Sequence, residues 1–176
     1  MTESLKDRIA EAFLTLIRQK NIDKISVKDL ADHCHISRQS FYYHYRDILE
    51  VIEWILNRRL EKLLTRNLQC QTQEEAVEVF LEFSQMNRTF IHKLLASKYH
   101  DILAPMLIKS LKRYLQELFR LRLSDSAMSY ADTNITLNFC AYGLLGLLLE
   151  NSCGDNKENK KNAVQQICRV LSKLFD

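Results

Sequence analysis

Apolar residues return along this chain at three- and four-residue spacing, the period of a helix with one buried face. Leu5, Ile9, Ala12, Phe13, Leu16 and Ile17 form the first such stripe, which predicts a helix from Ser4 to Gln19. KNIDKI follows as a connector anchored by Ile22 and Ile25. Val27, Leu30, Ala31 and Cys34 then mark a short amphipathic helix. Ser26 and Asp29 before it have the spacing of a capping box, in which hydroxyl and carboxylate each take a free backbone N–H. His35 and Ile36 make a turn, and Ser37 is a second N-cap residue. A long helix runs from Asp47 to Arg66, with Val51, Ile52, Ile55, Leu56, Leu60, Leu63 and Leu64 inward; Arg58, Arg59 and Lys62 read as its solvated face.

The polar run NLQCQT, residues 67–72, marks a boundary. Beyond it AVEVFLEFSQM and RTFIHKLLASK predict two helices of moderate length. Pro105 stands near the start of a further helix reaching Arg122, striped by Leu107, Leu111, Tyr114, Leu115, Leu118 and Phe119. Residues from Met128 to Glu150 predict a helix that includes LNFCAYGLLGLLLE, apolar almost all round, as expected of burial on several sides. This stretch is too short, and too interrupted by Asn138, for a membrane span. Gly143 and Gly146 permit close helix-on-helix packing. CGDNKENKKN is a solvated loop, and Val164, Ile167, Cys168, Leu171, Leu174 and Phe175 make the last stripe. Two closing helices this apolar form a self-complementary surface of the kind that a two-fold dimer buries.

Three Gly and one Pro in 176 residues, with 47% hydrophobic residues, fit an all-α chain with short loops. The net charge of +3 is too small for general polyanion binding, so any basicity must act locally. The charged opening MTESLKDRIAEAF has no signal-peptide core, so the expectation is a cytoplasmic protein. Five cysteines without CxxC spacing read as reduced thiols, with Cys153 the most exposed.

The local basicity lies in the short helix after Ser37. Phe41 and Tyr45 share one side; Gln39, Ser40 and Tyr43 oppose them, flanked by Arg38, Tyr42, His44 and Arg46. Between Asp32 and Asp47 there is no acidic residue. Core contacts on one side and donors without carboxylates on the other are what a major-groove helix needs.

SVKDLADHC, ISRQSFYYHYRD and ILEVIEWIL together resemble the tetracycline-repressor (TetR) family of bacterial regulators, over the first third of the chain. The resemblance implies a three-helix DNA-binding domain with a helix-turn-helix at 1–47 and a connecting helix at 48–66. A helical ligand-binding and dimerisation domain follows at 67–176. It implies a homodimer through the last two helices, bound to a pseudo-palindromic duplex operator as a repressor. A small-molecule effector, unidentified, would release or modulate it. The alternative is a coactivator or corepressor subunit whose C-terminal domain binds a protein. The wheel and the resemblance together give the DNA-contacting set: Ser26, Lys28, Ser37, Arg38, Gln39, Ser40, Tyr42, Tyr43, His44 and Arg46. Arg38 and Tyr42 would hold phosphates, while Gln39, Ser40 and Tyr43 read bases. Two positions depart from the family pattern: His35 stands where it has Gly, and Ile48 where it has a phosphate-contacting Lys.

No phosphate loop, dinucleotide fingerprint or GxSxG is present, and the five histidines lack metal-ligand spacing. The expectation is therefore no enzyme, no metal and no cofactor. His92, Tyr99, His100, Tyr114, Asn138 and Tyr142 are polar or aromatic residues among apolar ones, available to line an effector pocket, each set against a plainer core or surface role.

Overall fold

The structure is a computed structural model that describes residues 4–122, 130–149 and 157–175. All regular structure among the described residues is helical: α1 Leu5–Gln19, a 3-10 turn Ile22–Lys24, α2 Val27–Cys34, α3 Arg38–His44, α4 Ile48–Gln69, α5 Gln73–Leu95, α6 His100–Arg122, α7 Tyr130–Leu149 and α8 Lys157–Phe175. They form two compact units. One comprises the described residues up to Arg59 together with His92–Leu107; the other comprises Leu60–Ile91 and those from Ile108 onward.

Helix starts follow the caps legible in the sequence. Ser4 accepts the N–H of Asp7 to open α1, and Ser26 and Ser37 open α2 and α3. In the first unit, Ile9, Phe13, Leu30, Phe41, Val51 and Ile52 make the core that α1 to α4 share. Arg8 donates to the carbonyl of Cys34 at 3.0 Å, closing the end of α2 against α1. Two later residues of this unit reach back: Lys93 Nζ donates to the Ile17 carbonyl, and the Lys98 N–H to Asp23.

The structure departs from the sequence reading in several places. The two helices expected over 76–98 are one, α5, because nothing between them breaks a helix; Asn87 turns its amide back to the Phe83 carbonyl at 2.7 Å. α6 starts at His100, so Pro105 lies inside it and forgoes one backbone bond in its second turn. Lys157–Asn162, expected in a loop, already belong to α8. Arg59, expected in solvent, is half-buried near Glu11 and Arg18 of α1, and that burial lowers its pKa from the usual guanidinium value.

In the second unit α7 turns Leu137, Ala141 and Leu148 inward, and the Ser84 hydroxyl of α5 donates to its Leu147 carbonyl at 3.1 Å. Its opposite side is not covered: Ile135, Phe139 and Tyr142 are 67%, 62% and 63% exposed. Among the described residues, a Cβ at Gly143 or Gly146 would meet nothing within 4 Å, so neither glycine marks a close helix contact there. α8 packs Val164 and Cys168 on Leu81 of α5 and leaves Val170 outside. The side chains of Leu171, Leu174 and Phe175, and all of Cys153, lie outside the described residues. No described helix is long and apolar enough to cross a membrane.

Candidate nucleic-acid interface

The α2–α3 hairpin is closed by polar contacts at both of its helix starts and at its turn. The Asp29 carboxylate accepts the Ser26 N–H at 2.7 Å, and the Ser26 hydroxyl accepts the Asp29 N–H at 3.2 Å. Lys20 adds an ion pair to Asp29 at 2.7 Å. That hydrogen-bonded contact with Lys20, then those with Ser26, hold the Asp29 carboxyl well below the usual carboxylate range. His35 takes the left-handed conformation, φ 54°, among the described residues the one non-glycine residue at positive φ. This lets its N–H reach Asp32 and that of Ile36 reach Ala31. Histidine thus fills the position at which the family pattern has glycine.

Ser37 accepts the Ser40 N–H at 3.0 Å to start α3. Phe41 and Tyr45 are buried with their rings 6.0 Å apart, and the Tyr45 hydroxyl donates to the Lys6 carbonyl at 3.1 Å. Lys6 lays its ammonium over the rings of Tyr45 and Trp54, at 5.3 and 5.0 Å. These contacts fix the rotation of α3. Its outer face carries Arg38 and Gln39, both exposed, Tyr42, and Tyr43 at 86% exposure; Ser40 and His44 are half-buried.

Of the ten sequence-predicted residues, Arg38 to Arg46 lie together on α3 and just after it, with Ser37 as its cap. Ser26 and Lys28 stand exposed at the start of α2. The Ser26 hydroxyl is already engaged by Asp29. The sequence reading missed the closure after α3. Asp47 accepts the Glu50 N–H at 2.9 Å, Glu50 accepts the Arg46 N–H at 2.6 Å, and Arg46 also pairs with Glu50 through its side chain. The Asp47–Glu50 spacing, that of a capping box, was the available signal. Ile48 is half-buried at this start of α4. Of the six pocket candidates, His92, Tyr99 and His100 belong to the first unit and Tyr114, Asn138 and Tyr142 to the second.

Residues 9–53, which hold this hairpin, match the family model described as bacterial regulatory proteins, tetR family. Residues 71–173, more than half of the chain, match that of a transcriptional regulator C-terminal region of the same family. The chain belongs to the TetR family.

Relatives by sequence include the HTH-type transcriptional regulator YxbF of Bacillus subtilis, 33% identical over 63 residues, which are 36% of this chain and 17% of that one. Another is the dhaKLM operon activator DhaS of Lactococcus lactis, 27% identical over 86 residues, or 49% of this chain and 46% of that one. The chain therefore matches less than half the length of either. Solved structures extend the likeness in fold to nearly the whole chain. That of the dihydroxyacetone kinase operon activator DhaS has a TM-score of 0.63 at 18% identity, covering 96% of this chain and 94% of that one. That of Lin0861 from Listeria innocua has 0.67 at 17% identity, covering 97% and 95%. The protein is thus a TetR-family transcriptional regulator built on an N-terminal helix-turn-helix and a C-terminal helical domain.

Proposed function

We propose that this regulator is a cytoplasmic homodimer, without enzymatic activity, that reads a pseudo-palindromic duplex operator with α3. The observation that carries the reading is the outer face of α3. Buried Phe41 and Tyr45 hold it in one rotation, and it offers Arg38, Gln39, Tyr42 and Tyr43 with no carboxylate among them. On this reading residues 1–47 bind DNA, 48–66 connect, and 67–176 dimerise and take up an effector. Arg38 and Tyr42 position the head on phosphates, Gln39, Ser40 and Tyr43 read bases, and Ser26, Lys28, Ser37, His44 and Arg46 complete the footprint. The uncovered side of α7 with Val170 of α8 supports the two-fold interface. In the repressor form of the proposal, a small molecule that fits the second unit better in one arrangement shifts the heads and releases the operator.

A second reading is favoured by one relative. DhaS is named as an operon activator. That supports activation in place of repression, and so the coactivator form of the alternative in which the C-terminal domain would bind a protein.

The test is selection of bound duplexes from random sequence, followed by titration over a salt series. Arg38→Ala should weaken all duplexes alike and reduce the salt slope by about one unit. Gln39→Ala should relax one position per half-site, at ~1–3 kcal/mol. Uniform weakening by Gln39→Ala would show that this residue reads no base. Mass spectrometry of the purified protein then separates a bound small molecule from a co-purifying protein.

A further inference from the structure

The second unit holds a charge cluster that joins three helices. The Glu82 carboxylate of α5 uses its two oxygens on two different neighbours. Oε2 accepts from Arg66 Nη2, in the last turn of α4, at 2.7 Å. Oε1 accepts from Lys160 Nζ, in the first turn of α8, at 3.0 Å. Lys160 also pairs at 3.1 Å with Glu78, one turn before Glu82 on α5. The hydrogen bonds from Arg66 and Lys160 keep the Glu82 carboxyl below the usual carboxylate range, so it stays ionised at neutral pH. Beneath these charges Leu81 of α5 packs on Val164 and Cys168 of α8, with Val77, Ala163 and Ile167 around them. Lys160, Val164 and Cys168 are four residues apart, so one face of α8 carries both the ion pairs and the apolar seat.

We infer that Glu82 is a coupling residue: it ties the position of α8, which bears part of the proposed dimer surface, to the last turn of α4, which leads back to the DNA-binding hairpin. This inference rests on the operator-binding homodimer proposed above. Ion pairs this near the surface contribute little to stability separately, but a carboxylate shared between two of them makes them interdependent. If α8 shifts, Lys160 leaves Oε1, Glu82 reorients, and Arg66 loses the partner that steadies the end of α4. Replacing Lys160 should therefore be felt on α4, although both its acidic partners are on α5.

The experiment is a double-variant cycle on the full chain with Lys160→Gln and Arg66→Gln, read by hydrogen exchange of the amides in the last turn of α4. Lys160→Gln should speed that exchange about two- to fivefold. With Arg66→Gln already present it should have no further effect, and Lys160→Arg should restore the wild-type rate. Equal exchange in all variants, or effects that simply multiply, would overturn the coupling. A second arm measures affinity for a selected duplex. Lys160→Gln should change it by a similar factor, and only when Arg66 is present. Coupled exchange with unchanged affinity would refute the role in DNA binding. A wild-type protein that binds no duplex would refute the proposed function, while the exchange arm would still decide the coupling.

Discussion

The phenol oxygen of Tyr114 accepts a hydrogen bond from the side-chain amide of Asn67 at 2.9 Å, and both side chains are buried. The pair joins α6 to the end of α4 inside the second unit. A buried donor left without its acceptor costs more than the bond itself contributes, since water cannot replace the lost partner. Tyr114→Phe keeps the ring and its packing but removes the oxygen. It should destabilise the protein by ~1–2 kcal/mol, measured by urea denaturation, with little change in the slope of the transition.

His35 gives a second stability test. Its left-handed backbone crowds any Cβ, and glycine alone escapes that crowding. His35→Gly should stabilise by up to ~1 kcal/mol, the relief being partly offset by the greater freedom of glycine in the unfolded chain. His35→Val should destabilise by ~1–2 kcal/mol because branching at Cβ worsens the same contact. Thermal unfolding of the three proteins checks the order.

The uncovered side of α7 predicts the oligomer. Phe139→Glu would place a charge in the middle of the exposed row Ile135, Phe139, Tyr142. Light scattering at micromolar concentration should show a dimer for the wild type and a monomer for the variant, with the helical circular-dichroism signal largely kept. A wild-type monomer under these conditions would remove α7 as an interface.

Acid should loosen the α2–α3 hairpin through Asp29. Its carboxyl titrates below the ordinary carboxylate range, chiefly through Lys20 and Ser26. The folded state thus prefers the ionised form. The stabilisation is fully present above about pH 4, the unfolded value, and fades as pH falls through the folded value. Asp29→Asn should be less stable than wild type at neutral pH, and the gap should narrow below about pH 4. A gap independent of pH would show that the carboxylate charge contributes nothing.

The parts of this fold that could be read from sequence are those with local causes. Ser26 and Ser37 each announce a helix start through a hydroxyl that takes an N–H three residues on, and both do so. The rotation of α3 was legible for a similar reason: Phe41 and Tyr45 are four residues apart, and both are buried. Where the cause is distant, the reading failed. Glu82 lies 16 residues from Arg66 and 78 from Lys160, so no local pattern could join them. The Arg46–Glu50 pair was within reach, at helix spacing, but Arg46 had been assigned wholly to the outer face.

The two-sided greasiness of α7 also bears on how much of this protein a cell must make. If only the paired form engages a two-part site, occupancy at low copy number rises with the square of the amount present, not in proportion to it. A modest change in gene dosage or in degradation rate would then act as a sharp control, before any other signal arrives. The protein's own scarcity becomes a threshold, set by how well two copies of one exposed helix face fit together.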